Sequence, residues 1–307
     1  MYQLADLRFL MQRLRDPEHG CPWDLQQDFR SITAYTLEEV YEVVDAIDQS
    51  DFISLKDELG DLLFQIIFYA QLAEENDDFT LADIIDGLCE KLIRRHPHIF
   101  VDGELYATAQ TPTPIETVKQ NWETIKSSER VEKKQNGLFA DIPLALPAMT
   151  RALKYQKRAA SIGWDWQEIT PILAKLEEET DEFREALKAK IASFDGDAND
   201  LGDDVEAELG DMLFTCVNLA RHAGINPELA LRRANQKFAR RMLKVVAKQA
   251  DQHSTNDSTD RSTDGQSTEP NSETSDESIR QMEALWDQIK QEEQAYRSQH
   301  DRNKDDK

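Results

Sequence analysis

The sequence predicts an all-α protein built from two tandem helical-bundle modules, and three observations lead there. Its 307 residues include only 11 glycines and 10 prolines, mostly at the edges of long charged and apolar stretches, where they punctuate helices. Apolar residues recur at helical spacing, as at Leu37, Val40, Tyr41, Val44 and Ile47, and no period-2 strand pattern is found. A set of short motifs also occurs twice in the same order. A chain of this length can bury the cores of two ordinary domains. The repeat divides it into modules at 1–135 and 136–299, followed by a polar tail at 300–307.

Helix starts follow from capping chemistry. Thr36 stands three residues before Glu39, and Thr80 three before Asp83, as capping boxes. Thr113-Pro114, Thr170-Pro171 and Asn226-Pro227 each set a capping side chain before a proline, whose missing N–H costs nothing in the first turn. His96-Pro97, Asn136-Gly137 and Ala223-Gly224 end apolar-periodic stretches, giving each module four to five helices. The run from Leu62 to Leu72 is apolar almost all round, as expected of a helix buried between others or in a subunit interface. Residues 251–278 are rich in Ser, Thr, Asp, Asn and Gln, and read as a disordered acidic insertion that interrupts the second module. Helical patterning resumes at Ile279 and continues through Met282, Leu285, Trp286 and Ile289.

The repeat is dense in acids. Leu37-Glu38-Glu39-Val40-Tyr41-Glu42 returns between Leu176 and Phe183, where Glu178, Glu179 and Glu182 keep the spacing. Glu58-Leu59-Gly60-Asp61-Leu62-Leu63-Phe64 returns as Glu208-Leu209-Gly210-Asp211-Met212-Leu213-Phe214. Lys91 and Arg95 are matched by Lys237 and Arg241, and Trp122 and Lys126 by Trp286 and Lys290. Upstream, Gly20-Cys21-Pro22-Trp23-Asp24 is echoed loosely by Gly163-Trp164-Asp165. Insertions and deletions fall between the motifs and leave each intact, so a whole module has been duplicated.

Acids three apart on a helix share a face, so Glu39 with Glu42, and Glu58 with Asp61, form two pairs that can converge. At ~5 Å each like-charge pair costs roughly 3 kcal/mol at an effective dielectric near 20, enough to shift pKa values or demand a cation. Oxygen-only ligands suit a hard ion, with Mg²⁺ first and Mn²⁺ as its substitute. The second copy offers Glu179, Glu182, Glu208 and Asp211. Glu38 and Glu178, each preceding the first ligand, are placed to position or deprotonate a water. Any one Glu-x-x-Glu read alone is an ordinary solvated helix face; the matched duplication is what argues for a site.

Lys237 and Arg241 lie one turn apart, so both cationic heads can meet one polyphosphate. Arg240 and Arg94 have the same chemistry at another helical angle, as surface ion-pair partners would. Trp286 and Lys290 are also one turn apart: either the indole stacks on a base while the ammonium reaches phosphate, or the tryptophan is core. Trp23, Trp164 and Trp166 serve packing or wall a nucleoside pocket.

With 60 acids against 36 bases and a net charge of −24, the chain is unsuited to gripping nucleic acid phosphates over a wide surface. A polyphosphate ligand must arrive with cations. Cys21, Cys89 and Cys216 form neither a disulfide framework nor a thiolate zinc site. With no export signal and no apolar span of membrane length, a cytoplasmic protein is expected. There is no phosphate loop of the Gly-x-x-x-x-Gly-Lys type and no Gly-x-Ser-x-Gly elbow. None of the six histidines follows a Glu by three residues, which argues against a di-iron bundle.

These motifs, Glu-Glu-x-x-Glu followed by Glu-x-x-Asp, together with Met11 to Pro17, Gly20 to Asp24 and Arg95-His96-Pro97-His98, resemble the MazG-like all-alpha NTP pyrophosphatases over nearly the whole chain. The insertion at 251–278 departs from that pattern. The resemblance implies Mg²⁺-dependent hydrolysis of nucleoside triphosphates between the α and β phosphorus atoms, giving a monophosphate and pyrophosphate. It implies that the C-terminal copy is the active one, with metal on Glu179, Glu182, Glu208 and Asp211 and nucleotide on Lys237, Arg241, Trp286 and Lys290. By the same likeness Glu38, Glu39, Glu42, Glu58, Asp61, Lys91, Arg95, Trp122 and Lys126 make a second, less active site, and the protein is a homodimer. The competing expectation is a regulatory protein that binds nucleotides or an alarmone without rapid turnover.

Overall fold

The computed structural model describes residues 1–107, 113–132, 137–192, 202–256 and 272–305. Regular structure among them is entirely helical, and the chain divides into two compact units, Met1–Lys134 and Gln135–Lys307.

The first unit begins with α1 (Leu4–Leu14), started by a reciprocal Gln3/Asp6 capping box. A single turn, α2 (Pro22–Leu25), has its proline at the first helical position. Helix α3 (Thr33–Gln49) ends at Ser50, whose left-handed φ of 58° turns the chain. Asp51 then caps α4 (Phe52–Glu75), accepting from Ile53 N at 3.0 Å and Ser54 N at 3.2 Å. Thr80 and Asp83 form the expected box at the head of α5 (Leu81–Arg95), and α6 (Ile115–Glu132) completes the unit. The Thr36 expectation is corrected: α3 has already begun, and Thr36 Oγ1 bonds back to Ile32 O at 3.1 Å and meets Tyr69 Oη at 3.0 Å. Helix α4 packs along α3 and against α1, burying Met11, Ile32, Ile67, Phe68 and Leu72 in one core. Each large side chain sealed there contributes about 1.5–3 kcal/mol. The opposite face of α4 leaves Leu63 and Ile66 exposed.

The second unit contains α7 (Ala148–Ser161), α8 (Thr170–Ala192), α9 (Gly202–His222), α10 (Pro227–Asn256) and α11 (Ser272–Asp305). Asn226 Oδ1 accepts from Leu229 N at 3.2 Å, as its place before Pro227 predicts. Helices α8 and α9 pair as α3 and α4 do, and α10 packs on α11 as well as on α7 and α9. Val245, Leu285 and Ile289 seal the α10/α11 contact, with Met282 and Trp286 against them.

The disordered stretch expected at 251–278 is too wide. Helix α10 continues to Asn256 and α11 already runs from Ser272, while 257–271 lie outside the described residues. Once a packed segment has nucleated a helix, each added residue gains a hydrogen bond for little further ordering, so the helix overshoots its apolar pattern. The polar tail is helical to Asp305 for the same reason. Among the described residues no helix is long and apolar enough to cross a membrane.

Candidate functional site

In each unit the acids of two paired helices converge. Carboxylate oxygens of Glu39 on α3 and of Glu58 and Asp61 on α4 lie within 4.8 Å of one another. Glu179 on α8 and Glu208 and Asp211 on α9 meet the same limit. Glu42 and Glu182, the fourth ligand expected in each set, stand beside these groups of three and not within them, coupled to them by charge. Burial pushes the Glu39 carboxyl above its usual range, and Asp61, Glu42, Glu58 and Glu38 add to this by repulsion. Glu58 is raised by burial, then by Glu42 and Asp61. Glu182 is raised by burial and by Glu179, Glu208 and Glu178, against the opposing pull of Lys175. Hard oxygen donors, several and anionic, with neither imidazole nor thiolate, fit Mg²⁺ or Mn²⁺.

The two sets differ in what neutralises them. Lys175, one turn before Glu179 on α8, places Nζ 2.8 Å from Glu179 and 3.0 Å from Glu178. The hydrogen bond to Glu179, and then that to Glu178, hold its amine well above the ordinary lysine range. The aligned position in α3 is Tyr35, whose ring meets Trp23 edge-on at 5.8 Å. At this position the first carboxylate group therefore has a phenol in place of the ammonium.

They differ also in the space beside them. Carried along the helix from the shared Glu58/Glu208 register, Phe68 aligns with Asn218. Phe68 is 1 % exposed and fills the first core with Met11. In the second unit a cavity of about 170 Å³ opens there, lined by Glu179, Asp211, Trp164, Trp166, Gln156 and Asn218 among others. Its wall is braced by Asp165, which accepts from both Arg221 Nη atoms, at 2.9 Å from Nη1, and lies 3.1 Å from His222 Nε2. The hydrogen bonds from Arg221 and His222 hold the Asp165 carboxyl down at about 2.

The expected phosphate clamp lies on the α10/α11 pair. Lys237 is exposed, and Arg241 donates from Nε to Glu293 at 2.9 Å while its guanidinium lies 5.6 Å from the Trp286 ring centre. Phe238 packs on Trp286 at 5.3 Å, so the indole is shared by two neighbours. Lys290 pairs with Asp287 at 3.2 Å. In the first unit Arg94 and Arg95 both reach Glu129, at 2.8 and 2.5 Å, and Lys126 lies 4.4 Å over the Trp122 ring. Lys91 is half-buried on α5. Arg240, expected as an ion-pair partner, meets Glu293 at 3.4 Å. Among the described residues, Lys237, Arg241, Trp286 and Lys290 do not line the cavity beside the carboxylates.

Sequence reasoning missed Lys175, Gln156, Asn218, Arg221 and Glu293. Two left signals: Lys175 precedes Glu179 at the i,i+4 spacing of a helical ion pair, and Glu293 follows Lys290 as Glu129 follows Lys126. Gln156 and Asn218 left none, because a polar residue on a helix looks the same whether it borders a cavity or solvent.

Comparison with known proteins agrees with this architecture. A family model, the MazG nucleotide pyrophosphohydrolase domain, matches residues 27–100 and again 167–246. The chain is similar to a nucleoside triphosphate pyrophosphohydrolase of Escherichia coli, 47% identical over 246 residues covering 80% of this chain and 88% of that one. It is similar also to the nucleoside triphosphate pyrophosphohydrolase/pyrophosphatase MazG of Thermotoga maritima, 39% identical over 78% of this chain and 84% of that one. The uncharacterized protein YabN of Bacillus subtilis is 34% identical over 94% of this chain and 52% of its own length. With the domain present twice and identity sustained over most of both chains, this protein belongs to the MazG nucleotide pyrophosphohydrolase family.

Proposed function

We infer that the protein hydrolyses nucleoside triphosphates, ribo- and deoxyribo-, at the α–β phosphate bond to a monophosphate and pyrophosphate, and so acts in nucleotide-pool control. The observation that carries this is the convergence of Glu179, Glu208 and Asp211 beside an aromatic-walled cavity that Glu179 and Asp211 line, in a chain whose relatives are named nucleoside triphosphate pyrophosphohydrolases. Glu179, Glu208 and Asp211, with Glu182 beside them, would hold Mg²⁺, or Mn²⁺ in its place. Bound there, the ion supplies Lewis-acid neutralisation of phosphate charge. Glu178 orients a water and takes its proton. Lys175, with Nζ 2.8 Å from Glu179, supplies a positive charge beside it. Lys237 and Arg241 stabilise charge on the departing pyrophosphate, Arg241 being backed by Trp286 and Glu293, with Lys290 on the neighbouring turn. The exposed apolar residues Leu63 and Ile66 of α4, and Leu209, Leu213 and Phe214 of α9, suit burial in a homodimer.

The test is pyrophosphate release from a panel of nucleoside triphosphates with and without Mg²⁺. Release should require the ion and vanish in Glu179→Gln; full activity in that variant would overturn the site. The second reading, a nucleotide or alarmone sensor, draws support from the first unit, where the buried Phe68 stands in the place of the cavity-lining Asn218. It prevails if the protein binds nucleotide with Mg²⁺ and yields no product over hours.

A further inference from the structure

The cavity beside Glu179 and Asp211 carries one feature that packing does not explain. Gln156 is 6 % exposed, and its Nε2 donates to Phe214 O at 2.8 Å, which fixes the orientation of the carboxamide. Its Oε1 is buried without a hydrogen-bond partner, and Gln156 lines the cavity. An acceptor left so is destabilising, and only an N–H or O–H entering the cavity relieves it. Asn218, another lining residue and also 6 % exposed, uses Oδ1 to accept from Arg221 Nε at 3.0 Å and Nη2 at 2.8 Å, leaving Nδ2 as the donor. The cavity thus offers one fixed acceptor and one fixed donor.

The remaining walls are aromatic. Trp164 and Trp166 lie 6.5 Å apart at 44°, and Trp164 is 72 % exposed although it lines the cavity. An indole that packing leaves uncovered is a stacking surface. Trp286, the other tryptophan of this unit, is less free, since Phe238 and Arg241 already occupy it.

We propose that this cavity is the base subsite of the second unit, with Gln156 Oε1 accepting from an N–H on the base edge, Asn218 Nδ2 donating to its neighbouring nitrogen or oxygen, and the exposed Trp164 stacking on one face beside Trp166. The assignment rests on the hydrolase reading of the adjoining carboxylates. It also sets a specificity. Adenine, cytosine, guanine and uracil each place an N–H donor next to an acceptor, so all four fit one acceptor and one donor. A base stripped of that N–H does not fit. In the first unit the buried Phe68 stands in the place of Asn218.

The experiment compares ATP with purine riboside 5′-triphosphate, which lacks the exocyclic amine. Binding is measured calorimetrically with Ca²⁺ replacing Mg²⁺, and pyrophosphate release with Mg²⁺. The wild-type protein should favour ATP about tenfold in both, and Gln156→Met should bind the two alike. Trp164→Ala, at an exposed position, should raise KM for ATP roughly tenfold with kcat nearly kept. Equal affinity of the wild type for the two nucleotides, a preference that survives in a folded Gln156→Met, or an unchanged KM in Trp164→Ala would each overturn the proposal. Binding discrimination without product would uphold the base subsite and remove the hydrolase reading; product without discrimination would do the reverse.

Discussion

Arg241 donates from Nε to Glu293 across the α10/α11 contact at 2.9 Å, as Arg95 donates to Glu129 across the α5/α6 contact in the first unit. Each carboxylate is nearly buried and gathers more than one cation: Glu293 also holds Arg240 and Lys244, and Glu129 also holds Arg94. Such a group keeps a guanidinium in one pose. Glu293→Gln keeps the shape and removes the charge. It should raise KM for a nucleoside triphosphate about tenfold, the worth of one charge-assisted hydrogen bond, and leave the helix content unchanged. Steady-state pyrophosphate assays with circular dichroism check this; an unaltered KM would make Glu293 a purely structural residue.

Asp165 gives a pH signature. Its folded-state carboxyl is held at about 2, below the ordinary 3.8, by Arg221 and His222. A lowered carboxylate contributes stability that is complete above its unfolded value and is lost as pH falls towards the folded one. The contribution should therefore be full at pH 5, shrink below about pH 4 and be gone near pH 2. Urea unfolding of the wild type and Asp165→Asn at pH 6, 4 and 3 measures it, and the difference between the two proteins should narrow as pH drops. A constant difference across that range would mean that the ionised form is not what stabilises the turn.

The helices and the carboxylate sets were legible because both are local or periodic. The Glu58-Leu59-Gly60-Asp61 motif and its repeat fix a helical face, and two such faces packed apolar side to apolar side can only bring their acids together. Thr80 with Asp83, and Asn226 before Pro227, act within one turn and were read correctly. Thr36 was misread because the capping pattern recurs inside helices that started earlier. The cavity was not legible: it depends on Asn218 standing where the first unit has Phe68, and on Gln156 reaching it from α7, a contact between residues far apart in sequence. Nor did spacing along α10 show that Arg241 rests on Trp286 and Glu293, since those lie on a helix beyond the polar stretch.

The first core offers a simple control on the difference between units. Phe68 is sealed by Met11, Ile32 and Ile67, with Phe64 meeting its ring edge-on at 6.0 Å. Phe68→Ala should cost about 3–5 kcal/mol, because helices α1, α3 and α4 converge there and have little room to collapse. Pyrophosphate release by the second unit should survive at temperatures where the first has loosened. Thermal unfolding followed alongside activity separates the two, and a loss of activity in step with the first unit would tie catalysis to it.

The last expectation sets aligned glutamates against each other. Glu39 sits among acids, and burial and repulsion together disfavour its charge, so Glu39→Gln removes a strain. Glu179, in contrast, is buried against Lys175 at 2.8 Å, and Glu179→Gln takes the buried charge from that ammonium and leaves it paired with the exposed Glu178. In chelator-treated protein Glu39→Gln should leave stability equal or higher by up to roughly 1 kcal/mol, whereas Glu179→Gln should lower it by about 1–3 kcal/mol. With Mg²⁺ present the advantage of Glu39→Gln should fade, since a hard cation serves the same acids that the substitution relieves. Catalysis should divide the same way, with Glu39→Gln within about threefold of the wild type, a barrier change under about 1 kcal/mol. Melting curves with and without Mg²⁺, beside pyrophosphate assays, test both halves. Equal losses of activity from the two variants would show that the first carboxylate set turns over substrate as well.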